Sequence, residues 1–336
     1  MVDRTSQTFM LGAYGHTNAR MKKISFIIPC YNEEKNIVRI YSCLNEIVDR
    51  ARYICEFIYV DNNSSDDSER VFRQLASQDE RVYVLLMSRN FGSPQSSYLA
   101  GLEVCKGDAA ILIAGDMEDP PEYIPKFLEK WNEGYHVVYG VRRGTKMAPF
   151  TNFFYSFFYW LFKKMSYITI PLNAGDFCLL DREVINHITT FHESDFYLRG
   201  IRAYVGFKQV GIDFIREPRR TGVSSTGFFK NIWWAKTIII NFSLKPLEWI
   251  SKIAFLVVLA TCVGIIANLV LYFLIPGSPP GIPTIVILIL FLGGIQLLGI
   301  SIIGEYLAKI FIEIKHRPRY IIKEVIGAER KAGDLS

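Results

Sequence analysis

The chain has 336 residues, half of them hydrophobic, with a formal net charge of +5 and six cysteines. That length holds one large domain or two modest ones. No Cys-x-x-Cys pair and no His at metal-ligand spacing accompanies the cysteines, which fits reduced packing thiols in a cytosolic domain and one in an apolar run; no basic stripe interleaves with a reading motif, which argues against nucleic acid as a partner.

In chain order, residues 1–21 lack the apolar core of a signal peptide and read as a flexible extension. Strand and helix then alternate. Strands are predicted at 24–29 (ISFIIP), 56–60 (EFIYV), 82–87 (VYVLLM), 109–114 (AAILIA) and 136–140 (HVVYG). Helices are predicted from about Glu33, with Ile37, Tyr41, Leu44 and Val48 on one face, and near 68–77, 95–105 and 121–132. Alternation with short links predicts an α/β domain over 22–216: a doubly wound, Rossmann-like, mainly parallel sheet with helices on both faces. Ligand then binds at the C-terminal strand ends.

Those ends carry polar loops: Pro29 to Glu34, Asp61 to Asp67, Ser88 to Gly92, and the loop that closes AAILIAGDMEDPPE (109–122). In the last of these an apolar run stops at Asp116, Glu118 and Asp119, which could hold a hard divalent cation against a phosphate. Each loop also has a plain reading. Asp119 suits the cap of a helix opened by Pro120 and Pro121, Asn32 and Ser65 suit N-caps, and Asp61-Asn62-Asn63 suits a turn. Neither a GxGxxG after the first strand nor a P-loop is present, so dinucleotide and Walker-type sites have no support.

Beyond Gly140, residues 150–170 and 228–241 combine aromatic rings with lysines or paired tryptophans and read as interfacial amphipathic helices, the alternative for the first being a core helix. Residues 217–250 form the juxtamembrane segment. Residues 253–275 and 285–304 are uncharged runs of bilayer-spanning length and predict a two-helix transmembrane hairpin within 251–307. Lys245 and Lys252 before it, and Lys309, Lys315, Arg317 and Arg319 after it, place both flanks in the cytoplasm. Basic residues from Lys208 to Lys252 and after Lys309 lie where anionic lipid headgroups would meet them, and residues 308–336 form a cytosolic tail. Ala260 and Gly264, at small-xxx-small spacing, would allow a homo-oligomer.

The segments ISFIIPCYNEEKNI, IYVDNNSSDDS, SRNFG, GDMEDPPE, NAGDFCLLDRE (173–183), YLRGIRAYVGFKQ (197–209) and PRRTGVSS (218–225), followed by two apolar runs and HRPRYIIKE (316–324), resemble the polyprenyl-phosphate glycosyltransferases of family 2, with a GT-A fold. Bacterial undecaprenyl-phosphate (bactoprenol) glucosyltransferases and dolichol-phosphate mannose synthases are the types it is most similar to. The resemblance implies an integral protein of the bacterial inner membrane with a cytosolic catalytic domain, a nucleotide-sugar donor, a polyprenyl phosphate acceptor and inversion at the anomeric carbon. It implies that Pro29, Tyr31, Glu33, Asp61 and Asn62 cradle the nucleoside. Asp116 and Glu118 match the metal-binding acid and glutamine of an Asp-x-Asp-x-Gln motif, and Mg²⁺ or Mn²⁺ is the implied cofactor. Arg142 matches a phosphate-contacting arginine, Asp176 falls to the donor sugar hydroxyls, and Arg199, Arg219, Arg220 and Ser224 are candidates for the acceptor phosphate; for Arg199 and Arg219 a structural ion pair is the rival reading. Three positions depart from the pattern: Ala114 replaces its first Asp, Glu118 its Gln, and Ser225 a Lys. A processive polysaccharide synthase is disfavoured because no Arg-Trp pair exists, and a degenerate scaffold subunit is the rival from outside the enzymes.

Overall fold

The computed structural model describes residues 21–51, 53–143, 171, 174–215, 243, 245–274 and 281–327. The strands are β1 (Lys23–Cys30), β2 (Ile54–Asp61), β3 (Val82–Met87), β4 (Ala109–Leu112), β5 (Val137–Arg143), β6 (Ala174–Asp181), β7 (Gln209–Ile215) and β8 (Ile322–Ile326). The helices, numbered in chain order, are α1 (Ile37–Ala51), α2 (Ser68–Gln78), α3 (Pro94–Val104), α4 (Ile124–Asn132, after a short 3₁₀ turn), α5 (Arg182–Thr189), α6 (Leu198–Tyr204), α7 (Lys245–Leu274) and α8 (Ile282–Ile314).

All eight strands join one sheet in the order β7-β5-β6-β4-β1-β2-β3-β8. The chain runs outward from β1 through β2 to β3, then returns to lay β4 on the other side of β1, both neighbours parallel to it. A reversal of this kind leaves a crevice between the C-terminal ends of the two strands, where sheets of this class take their ligands. Beyond β4 the sheet is mixed, because β6 runs antiparallel to both β4 and β5, while β5 and β7 are parallel.

Apolar residues cover both faces because helices cover both. Phe26, Ile28, Phe57 and Tyr59 pack under Ile37, Ile40 and Leu44 of α1, Phe72 of α2 and Phe127 of α4. On the opposite face Ile27, Ile58 and Val60 meet Tyr98, Leu99 and Leu102 of α3, Val184 and Ile185 of α5, and Leu198 and Ile201 of α6. Five cysteines among the described residues are free thiols, and four of them are buried.

The expected α/β core is present, and β6, β7, α5 and α6 add to the predicted elements. A segment expected only as a tail supplies β8, which pairs antiparallel with β3 and covers that edge of the sheet. Of the expected transmembrane hairpin one candidate span stands out. Helices α7 and α8 contain the two apolar runs, but among the described residues one stretch, Phe291–Ile314, is long and apolar enough to cross a membrane, and it lies further along the chain than expected. Large apolar side chains are exposed along both helices, Phe255, Val263, Leu288 and Leu297 among them. Residues 1–20, the aromatic run 150–170 and the juxtamembrane run 228–241 lie outside the described residues.

Candidate active site

The crevice is built by backbone. Gly115 N–H donates to Pro29 O at 3.0 Å and Asn62 N–H to Cys30 O at 2.9 Å, so the loops after β2 and β4 both fasten to the end of β1. A Cβ on Gly115 would lie 2.6 Å from Cys30 Sγ and 3.0 Å from Pro29 O, so no larger residue permits this approach.

On the β2 side, Asp61 is buried and accepts from Ser64 N–H (3.1 Å) and Ser64 Oγ–H (2.5 Å). Burial pushes its carboxyl above the ordinary value, and the Ser64 bonds hold the rise in check. Asn62 is buried and ties in the next loop, donating to Asn90 Oδ1 (3.2 Å) and accepting from Phe91 N–H (3.0 Å). Asn32 caps nothing: in a left-handed conformation (φ 56°), it accepts from Ser65 N–H (2.8 Å) and takes Ser64 Oγ on its own N–H (2.8 Å). Glu33 Oε2 accepts from Asn36 Nδ2 at 2.5 Å, and Tyr31 stands exposed at the mouth. Glu33, Asp61 and Asp116 all act on the Cys30 thiol, which burial first and these charges second push well up. Three of the predicted nucleotide-side acids therefore share one place.

On the β4 side the turn is strained. Met117, between Asp116 and Glu118, has φ 60°, which costs about 1 kcal/mol for a side chain with a Cβ. Glu118 N–H donates to Asp116 Oδ1 (3.1 Å), closing the turn. The proposed cap role of Asp119 does not occur, for neither the 3₁₀ turn nor α4 has a side-chain cap. Asp119 is buried and faces Arg142 of β5 at 3.6 Å; its Oδ1 and Arg142 Nε both lack hydrogen-bond partners. Burial raises its carboxyl to about 6, Arg142 pulling it down and Asp116 and Asp176 pushing it up.

Asp176 of β6 completes the group. Arg199 of α6 holds it bidentately (Nε to Oδ1 2.8 Å, Nη2 to Oδ2 3.1 Å), and Gln95 Nε2 donates to Oδ2 at 3.2 Å. Burial would raise this carboxyl, but Arg199 first, then Arg202 and Arg142, hold it below the ordinary value. Arg199 therefore is the ion pair that was its rival reading, made inside the cluster. Arg219, Arg220 and Ser224 lie outside the described residues.

Asp116, Asp119, Asp176, Arg142 and Arg199 thus come together, while Tyr31 stays at the rim. Two contributors are not among the predicted site residues, although Arg202 lies within the YLRGIRAYVGFKQ segment. Gln95 links Asp176 to the start of α6, accepting from Leu198 N–H at 2.9 Å. Arg202 is buried, donates to Gly175 O (3.3 Å), stacks its guanidinium 4.5 Å from the Tyr139 ring, and leaves Nη2 unpartnered. Nothing in its spacing separates Arg202 from a surface arginine.

The three-carboxylate cation clamp is not formed: among the described residues no group of three or more His, Cys, Asp or Glu could hold a metal ion. Asp119 is turned to Arg142 instead. The remaining donors, Asp116 and Glu118, are hard oxygen ligands, and two carboxylates completed by substrate phosphate oxygens are the usual complement for Mg²⁺. These two residues have the oxygen donors that a divalent cation takes.

The glycosyl transferase family 2 model matches residues 25–189. The bactoprenol glucosyl transferase of Shigella phage SfV is 36% identical over 306 residues, covering 90% of this chain and 98% of its own. The prophage bactoprenol glucosyl transferase homolog of Escherichia coli K12 is 36% identical over 307 residues, covering 90% and 99%. An uncharacterized glycosyltransferase of Synechocystis is 34% identical over 311 residues, covering 91% and 96%.

Proposed function

The chain belongs to glycosyltransferase family 2, and from that premise we propose that it moves glucose from UDP-glucose to undecaprenyl phosphate, with inversion, on the cytosolic face of the bacterial inner membrane. The observation that carries this reading is the Asp116, Asp119, Asp176, Arg142 and Arg199 group at the β1/β4 crevice, in a chain aligned almost end to end with bactoprenol glucosyl transferases. The exposed apolar lengths of α7 and α8, flanked by Lys245, Lys252, Lys315 and Arg317, support two spans with cytosolic flanks.

The acceptor phosphate is largely a dianion at neutral pH, its second pKa being about 6, so the nucleophile needs orientation more than deprotonation. Arg142, with an unpartnered Nε, supplies donors for phosphate oxygens, and Arg199, forked to Asp176, adds positive charge beside them. Asp176, kept ionised by three arginines, accepts from sugar hydroxyls. Asp61, Asn62, Glu33, Tyr31 and Pro29 line the nucleoside side. Asp116 and Glu118 would hold Mg²⁺ or Mn²⁺, which when bound neutralises charge on the leaving diphosphate.

Membranes containing the full chain, given labelled UDP-glucose, undecaprenyl phosphate and Mg²⁺, are expected to yield labelled lipid. Asp116→Ala is expected to lower the rate at least a hundredfold, and a chelator to abolish it until Mn²⁺ is returned. A donor panel including GDP-mannose, scored by the mass of the lipid, identifies the sugar. No labelled lipid from any donor would overturn the reading and leave the scaffold alternative.

A further inference from the structure

Two residues of α8 have no part in the site as described. Lys309 and Glu313 are four residues apart, hence on one face of the helix. Both grip one short segment of the domain. Ser194 N–H donates to Glu313 Oε1 (2.9 Å) and Oε2 (3.1 Å), and Ser194 Oγ–H donates to Oε2 at 3.1 Å. Lys309 Nζ pairs with Asp195. The chain leaving α8 adds to the hold: Arg319 donates to Phe191 O (2.7 Å) and pairs with Glu103 of α3 (3.2 Å), which Tyr320 also contacts.

The held segment runs directly into the site. Three residues after Asp195 comes Leu198, whose N–H is fixed by Gln95, the same side chain that donates to Asp176. Arg199 follows and holds both oxygens of Asp176. Phe196 and Leu198 are buried between, so the connection is seated in the core rather than looped over the surface.

We propose that Lys309 and Glu313 are positioning residues that set the Asp176–Arg199 pair from the end of α8, joining the apolar helix mechanically to the acceptor side of the crevice. An ordinary exposed ion pair contributes little. Here Glu313 takes a backbone N–H with both oxygens, a charge-assisted contact that fixes the main chain itself. A small displacement of that main chain carries to Arg199, and misplacement of a reacting constellation is costly in rate. The proposal rests on the reading of Asp176 and Arg199 as site residues.

The full chain in detergent, assayed with UDP-glucose and undecaprenyl phosphate, tests it. Glu313→Ala is expected to lower kcat/KM for the acceptor about tenfold while UDP affinity by calorimetry stays within twofold. Glu313→Gln, which keeps one acceptor oxygen, is expected to recover most of the loss. Lys309→Met gives the same split to a smaller degree. Arg199→Lys with Glu313→Ala is expected to be no worse than Arg199→Lys alone, since residues acting through one another are not additive. Additive losses, or a fall in UDP affinity in step with rate, would overturn the coupling. A wild-type chain that makes no labelled lipid would overturn the site reading instead.

Discussion

Asp79 shows how one side chain can be read for stability. It ends α2 and accepts from Arg81 Nη2 (2.7 Å), Arg81 N–H (2.8 Å) and Tyr41 Oη–H (2.5 Å), tying α1, α2 and the approach to β3. Burial alone would raise its carboxyl, but the Arg81 and Tyr41 bonds outweigh it and bring it from 3.8 to about 2. A carboxyl depressed on folding stabilises the folded chain above its unfolded value, and that contribution is lost as pH falls through the folded one. Asp79→Asn is therefore expected to cost about 1 kcal/mol at pH 7, solvent screening keeping it small. The gap from wild type should close as pH falls from 3.8 toward 2. Chemical denaturation at pH 7 and pH 3 checks this, and an equal gap at both would contradict it. Asp119 has the opposite environment, buried with one oxygen unpartnered, and its carboxyl rises. From sequence both are loop acids before a helix or strand. Burial and partners, which spacing does not encode, separate them.

At the scale of elements, α3 approaches β1 so closely that a Cβ on Gly101 would overlap the Ile27 side chain. Overpacking a filled core costs about 1–3 kcal/mol, so Gly101→Ala should lower stability by that amount, with the thermal midpoint as the measurement. Strands β1 to β5 were legible because each is a compact apolar run bounded by turn residues, as with VYVLLM, found at 82–87 as expected. The edge at 109–114 was overestimated. Pairing ends at Leu112, and Ile113 continues only a single bond to Ile27 O before the Gly115 turn. Strand β6 carries Asp176 inside a half-apolar stretch that reads as a motif before it reads as a strand. Strand β8 was not legible at all. Five residues of mixed polarity, IKEVI, hold no periodic signal, and only the bare edge of β3 gives them a partner. Gln95 and Arg202 were missed for the same reason, since their roles come from α3 and α6 meeting over β6.

For the whole molecule, the sheet domain and the apolar helices α7 and α8 are joined at one end through Lys309, Glu313, Arg319 and β8. If α7 and α8 span the bilayer, alkaline carbonate and high salt are expected to leave the full chain in the membrane pellet, whereas headgroup attraction alone would be screened away. Recovery in the supernatant would contradict spanning. The pairing of β3 with β8 has one more consequence. Val82–Met87 is synthesised early, yet its outer partner, Ile322–Ile326, follows both long helices. During translation the nascent domain must wait with an open flank until the apolar helices have left the ribosome, so the last strand of the sheet can be added only after both helices have been made.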